Sequence, residues 1–183
     1  MEPLVIYAPG SGTTERVARA VGKGFGTAGT CVVASIDHVT PTAVWDADLV
    51  VIGGPAHVHG MTHALRRFLR QTVESAWQGL PVVAFDIRVR GEAGTAGSAA
   101  VRVARKLRTG GAVVDVPPES FFVAGMTGPL EDGSWSEPRN GAASWRRWWC
   151  RTAGRPEEER GPISPGLRPR TGGDHLAPAR LDN

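Results

Sequence analysis

Short apolar segments alternate with longer amphipathic stretches through the first two thirds of the chain. Apolar residues recur at helical spacing at Val17, Ala18, Ala20 and Val21, and further helices are predicted over about 62–73 and up to about residue 108. Pro41 interrupts the interval 37–48, which leaves room for a helical turn or two. Short strands separated by helices predict an α/β sandwich around a parallel sheet. Its five strands are predicted at residues 4–8, 31–36, 49–53, 81–86 and 112–116.

The first strand runs directly into a turn that opens a helix and consists of Gly10, Ser11, Gly12, Thr13 and Thr14. Backbone N–H groups, hydroxyls and the positive end of a helix dipole converge there, which suits an anion. A nucleotide-hydrolase loop needs a lysine after Gly12, and a dinucleotide turn needs a glycine where Glu15 stands. The turn is therefore predicted to hold a terminal phosphate through neutral donors. A second interpretation stays open, in which Thr13 or Thr14 is only the N-cap of the helix.

Two further strands of the predicted sheet end in loops that contain glycine. Ligands of such sheets bind at the carboxyl ends of the strands, so both loops are candidate walls of one site. The histidines of the first loop either contact a ligand or are solvated, and a metal site would lack a neighbouring cysteine or carboxylate. The arginines of the second loop either bind an anion or are exposed. The loops comprise Gly54, Pro55, Ala56, His57, Val58, His59 and Gly60, and Asp86, Ile87, Arg88, Val89, Arg90 and Gly91.

These loops resemble those of the flavodoxin family over residues 4–133. The family's first loop reads Thr/Ser-x-Thr/Ser-Gly-x-Thr, which Ser11, Gly12 and Thr14 match, while Pro9 replaces its first hydroxyl residue. The family's second loop reads Gly-Pro-Thr-x-x-x-Gly, and Ala56 replaces the threonine here. The stretch Pro-Pro-Glu-Ser-Phe at 117–121 also occurs in short flavodoxin-domain proteins of high-GC bacteria.

The resemblance implies a doubly wound five-stranded sheet in the order 2-1-3-4-5 and a site for flavin mononucleotide (FMN). Residues 11–14 would hold the phosphate, and residues 54–60 and 86–91 would flank the ring. The implied function is electron transfer to a redox partner protein or a small-molecule acceptor. Two alternatives stay open: a binding or regulatory domain without flavin, and an FMN-dependent NAD(P)H:quinone-type reductase. No residue identifies a catalytic group or an oligomeric state.

Other classes are disfavoured by particular residues. A phospho-receiver domain needs paired acidic residues after the first strand, where Ala8 and Pro9 stand, and a tyrosine phosphatase needs a cysteine in that loop. Residues 1–133 carry 12 Lys or Arg and 12 Asp or Glu, so the net charge of +3 belongs to the remainder and a nucleic-acid surface is not expected. Without a signal sequence, a spanning segment or a disulfide framework, we expect a cytoplasmic protein.

Residues 134–183 lose the apolar periodicity and become rich in Trp, Arg, Pro and Gly. We interpret them as an irregular or disordered tail that follows the flavodoxin-like domain of residues 1–133. Tryptophan has a single codon, so Trp145, Trp148 and Trp149 constrain the underlying bases. Read two bases later, that part of the gene must encode alanine and then two valines, and permissible codons after Gly133 spell an amphipathic helix. A frameshift near Gly133 is therefore a second interpretation of the tail.

Resequencing the gene tests the frameshift. The displaced frame is expected to stay open from about Gly133, to encode the amphipathic helix and to end near Pro156. Stop codons early in that frame would contradict the interpretation and leave an ordinary tail.

Overall fold

A computed structural model describes residues 2–10, 12–25, 31–57, 60–72, 76–89, 98–125 and Trp145. Within these ranges the chain forms six strands and four helices, several of them followed by short turns. In chain order they are β1 (Pro3–Tyr7), α1 (Thr13–Phe25), β2 (Val32–Ser35), α2 (Pro41–Asp46), β3 (Leu49–His57), β4 (Gly60–Met61), α3 (His63–Gln71), β5 (Val82–Val89), α4 (Ala99–Thr109) and β6 (Glu119–Val123).

The five longer strands form a parallel sheet in the order β2-β1-β3-β5-β6. β4 pairs antiparallel with the end of β3 and makes a hairpin. The parallel strands, counted without β4, thus have the predicted order 2-1-3-4-5. The doubly wound α/β fold is confirmed, because helices cover both faces of the sheet.

The two faces of the sheet bury separate apolar clusters. On one face, Val17, Val21 and Phe25 of α1 belong to a cluster that also contains Phe85 and Phe121 of the sheet. The opposite face carries α2, α3 and α4, whose apolar residues cover β1, β3 and β5. Uninterrupted valine and isoleucine runs suit such strands, since a parallel sheet is buried on both faces. Trp145 belongs to the α1 face and is 3% exposed, while the rest of residues 134–183 lies outside the described residues.

Hydroxyl side chains fix where three of the helices begin. Thr40, Thr62 and Ser98 are the N-caps of α2, α3 and α4, and each accepts a hydrogen bond from the backbone N–H three residues ahead at 3.2–3.3 Å. Pro41 is the first residue of α2 rather than an interruption, because the first helical position needs no N–H donor. The six-residue α2 agrees with the predicted turn or two.

Three strand predictions were wrong in their bounds, and one of these strands, β5, ends at Val89 instead of at residue 86. β3 continues through Gly53, Gly54 and Pro55 to His57, because β5 extends beside it and Pro55 lies past the end of β1, where β3 has one parallel neighbour. The fifth strand of the parallel sheet is Glu119–Val123, not residues 112–116. In that earlier segment Val113 forms only an isolated bridge with Pro81.

Glycine at position 53 is required by the distance between β3 and β5. A Cβ atom there would lie 2.5 Å from Phe85 Cγ and would also overlap the Phe85 carbonyl oxygen. Gly53→Ala is therefore expected to lower the free energy of unfolding by about 3 kcal/mol, measured by urea denaturation. The control is Gly125→Ala, where a Cβ meets nothing within 4 Å. Equal urea midpoints for the two variants would contradict this packing.

Candidate functional site

The carboxyl ends of β1, β3 and β5 lie at one edge of the sheet, because these strands are parallel neighbours. The first two loops are in contact. A Cβ atom on Gly10 would lie 3.1 Å from Pro55 Cγ and 3.2 Å from Thr14 Oγ1, so Gly10 packs between the end of β3 and the start of α1. Ser11, Val58, His59, Arg90 and Gly91 of the predicted site lie outside the described residues.

The start of α1 differs from the starts of the other helices. The Gly12 carbonyl accepts the first helical hydrogen bond, from the Arg16 N–H at 3.1 Å, so Gly12 and not a threonine occupies the N-cap position. Its φ of +84° favours glycine, and glycine has no side-chain oxygen for the first-turn N–H groups. Thr13 and Thr14 follow as the first two helical residues and are 6% and 2% exposed. The other three helices have a hydroxyl side chain at this position, from Thr40, Thr62 and Ser98.

Glu15, in the first turn of α1, is paired along the helix. Its Oε1 atom accepts hydrogen bonds from Arg19 Nη2 at 2.8 Å and Nε at 3.0 Å. This pairing offsets the negative charge of Glu15 near the predicted phosphate turn.

Tyr7, at the end of β1, was not predicted from the sequence as a feature of this edge. Burial, with a smaller contribution from the Glu15 carboxylate, raises the pKa of Tyr7 above its ordinary value, so the phenol remains a neutral hydrogen-bond donor.

The second predicted loop is mostly strand. Gly54, Pro55, Ala56 and His57 belong to β3, and the chain reverses so that His57 pairs with Gly60 and Ala56 with Met61. The hairpin rests on α4, since a Cβ on Gly60 would lie 2.9 Å from Arg102 Cδ. The His57 side chain lies outside what the structure describes, so its contact with a ligand stays a prediction.

The third predicted loop is strand as far as Val89. Asp86, Ile87, Arg88 and Val89 all belong to β5, because this strand pairs with β6 along that whole stretch. Ile87 is 5% exposed and lies in the apolar cluster of the α1 face. The Arg88 guanidinium lies over the Phe122 ring, 5.2 Å from its centroid, and among the described residues its Nε atom has no hydrogen-bond partner.

Asp86 has a structural role at the start of α4. Its carboxylate is fully buried, and Oδ2 accepts hydrogen bonds from Ser98 Oγ at 2.5 Å and from the Ala100 N–H at 3.0 Å. A carboxylate at a helix N-terminus is stabilised by the helix dipole. Sequence spacing did not indicate the Asp86–Ser98 contact, because twelve positions and the whole third loop separate the two residues.

No described group of three or more His, Cys, Asp and Glu side chains could hold a metal ion. Nor does the described part of the chain contain a helix long and apolar enough to cross a membrane.

Solved structures with this architecture include flavodoxins. A flavodoxin from the domain Archaea superposes with a TM-score of 0.70 at 21% identity, over 82% of this chain and 99% of that one. Flavodoxin 1 from Bacillus cereus gives a TM-score of 0.68 at 18% identity, over 80% and 98% of the two chains. The flavodiiron protein from Giardia intestinalis gives 0.64 at 19% identity, over 82% of this chain and 37% of that one.

No protein-family model matches the chain, and no curated protein sequence is significantly similar to it. At 18–21% sequence identity, the similarity to these solved structures shows a shared fold. The chain has a flavodoxin-like fold, as the loop resemblance predicted.

The contact between Asp86 and α4 can be tested by truncation. Asp86→Ala removes the acceptor of the Ser98 and Ala100 hydrogen bonds, and is expected to cost about 2 kcal/mol of unfolding free energy. The measurement is urea denaturation, with the exposed Asp115→Ala as the charge-matched control, expected to change stability by less than about 0.5 kcal/mol. Similar values for both variants would contradict the anchoring role.

Proposed function

We propose that this protein binds FMN at the edge of the sheet where β1, β3 and β5 end, and that it carries electrons. The observation that carries the proposal is the start of α1. There a glycine with positive φ occupies the N-cap, two buried threonines follow it, and Gly10 packs against Pro55 of the neighbouring strand.

The phosphate would lie at this helix start. Backbone N–H groups of the first turn, the Thr14 hydroxyl and Ser11 supply neutral donors, and the positive end of the α1 dipole favours a negative group. The pairing of Glu15 with Arg19 limits the repulsion that an unpaired carboxylate would exert. Because the first turn of α1 is formed by the fold before a ligand arrives, little ordering cost opposes binding there.

The ring would lie between the β3–β4 hairpin and the loop after β5. The described part of this edge offers mainly backbone and small side chains, including Gly54, Ala56 and Gly60. When bound, the flavin supplies the one- or two-electron chemistry. The chain would hold the phosphate, exclude water from one side of the ring and donate hydrogen bonds to it from the loops.

Pro9 and Ala56 favour a second candidate, a binding or regulatory domain without flavin. Pro9 has no N–H group and no hydroxyl in the loop that would hold the phosphate, and Ala56 removes another hydroxyl from the hairpin. FMN binding separates this candidate from the electron carrier. Turnover of NADH with a quinone would indicate instead the reductase, which needs a substrate surface over the flavin.

Comparison of FMN with riboflavin isolates the phosphate contribution. The full chain is expected to quench FMN fluorescence on titration and to bind riboflavin, which lacks the phosphate, at least tenfold more weakly. Thr14→Val is expected to weaken FMN binding about tenfold and to leave riboflavin binding unchanged, because only FMN contacts the α1 start. Thr42→Val, at an exposed position of α2, is the matched control. A folded protein that quenches neither flavin would contradict the proposal and favour the domain without flavin.

A further inference from the structure

A cationic groove lies between α3 and α4, on the face of the sheet opposite α1. It has a volume of about 700 Å³, within the range of small-molecule sites. Two arginines of α3 and three basic residues of α4 line it: Arg66, Arg70, Arg102, Arg105 and Lys106. None of the described residues that line the groove is acidic.

Helical spacing explains how these cations meet. Arg66 and Arg70 are four residues apart and share one side of α3, while Arg102, Arg105 and Lys106 share one side of α4. The two helices follow parallel strands and therefore run in the same direction. Arg66 and Arg102 both lie beside β4, Arg66 at Met61 and Arg102 at Gly60, so the two rows begin near the same short strand.

Two of these cations contact the β3–β4 hairpin. Arg66 Nη2 donates to the Met61 carbonyl at 3.1 Å, and Arg102 packs on Gly60. Arg70, Arg105 and Lys106 are exposed, and like charges at helical spacing repel one another. Residues 1–133 are neutral in total, so this accumulation is local. A bound polyanion would relieve the repulsion along both helices at once.

The floor of the groove is apolar. Met61, Leu69, Trp77 and Leu107 line it and are each less than 9% exposed. Trp77 has a buried indole Nε1 with no hydrogen-bond partner among the described residues. Cations on both walls over an apolar, aromatic floor suit a ligand with a charged and an apolar part.

We propose that this groove binds an organic anion that carries two or more phosphate groups. Its phosphates would contact Arg70, Arg105 and Lys106, since arginine binds phosphate in a bidentate manner, and its apolar part would lie on the floor at Trp77 and Leu107. This site is separate from the start of α1, which lies on the other face of the sheet, and it does not depend on flavin binding.

Calorimetric titration of the full chain at 0.15 M salt tests the proposal with three probes. ATP carries both parts of the ligand, tripolyphosphate carries the charge alone, and adenosine carries the apolar part alone. ATP is expected to bind saturably and several-fold more tightly than tripolyphosphate, and adenosine is expected not to bind measurably. Equal affinity for ATP and tripolyphosphate would overturn the proposed ligand class, and so would the absence of saturable ATP binding.

Charge-matched variants localise the binding. Arg70→Gln with Arg105→Gln is expected to weaken ATP binding at least tenfold, whereas Arg67→Gln with Lys23→Gln, both exposed and outside the groove, removes the same charge without this effect. Equal losses in the two double variants would show non-specific attraction and overturn the site.

Trp77→Phe is expected to abolish the tryptophan fluorescence change on ATP binding while calorimetric binding persists. A fluorescence change that persists in Trp77→Phe would place ATP elsewhere and overturn the proposal.

The same variants separate this inference from the flavin site. FMN affinity is expected to be unchanged in the Arg70→Gln, Arg105→Gln variant, because the phosphate of FMN would lie at α1. A protein that binds ATP in the groove and no FMN would support this inference alone. One that binds FMN but not ATP would overturn it and leave the flavin site standing.

Discussion

The close approach of β3 to both of its parallel neighbours determines the geometry of the functional edge. At Gly53 the Phe85 side chain and carbonyl of β5 occupy the space of a Cβ atom, and at Gly54 the Ala8 Cβ lies 2.8 Å from that position. Larger residues there would separate the strands. Because β1 and β3 lie so close, Gly10 at the turn after β1 reaches Pro55 near the end of β3.

The helices differ in which groups accept hydrogen bonds from their first N–H groups. Where a protein hydroxyl or carboxylate satisfies the first N–H groups, as at Thr62 or at Ser98 with Asp86, the helix end is part of the scaffold. At α1 the N-cap is Gly12, which has no side-chain oxygen, and this is the helix start at which we propose the phosphate site. On the opposite face, arginines of two adjacent helices line the groove that we propose as a second anion site. The two proposed sites would use different residues to hold their anions.

Most of the sheet could be predicted from sequence because a buried strand needs an apolar run and little else. The sequence-based predictions were wrong where contacts between distant segments override the local preferences of the residues. Glycines and a proline ended the predicted third strand, yet β5 supports β3 through Pro55. Residues 112–116 are as apolar as a strand, but the sheet uses Glu119–Val123. Asp86 was predicted to flank a ligand, whereas its hydrogen bonds to Ser98 and Ala100 depend on how α4 lies over β5.

A ¹⁵N–¹H correlation spectrum recorded during FMN addition tests the flavin site most directly, since it reports each backbone amide separately. Amide resonances of Gly10, Gly12, Thr13, Thr14 and Gly60 are expected to shift together and saturate at one equivalent of FMN, while those of Arg70 and Arg105 stay in place. Shifts confined to α3 and α4, or a spectrum that FMN leaves unchanged, would contradict a phosphate site at the start of α1.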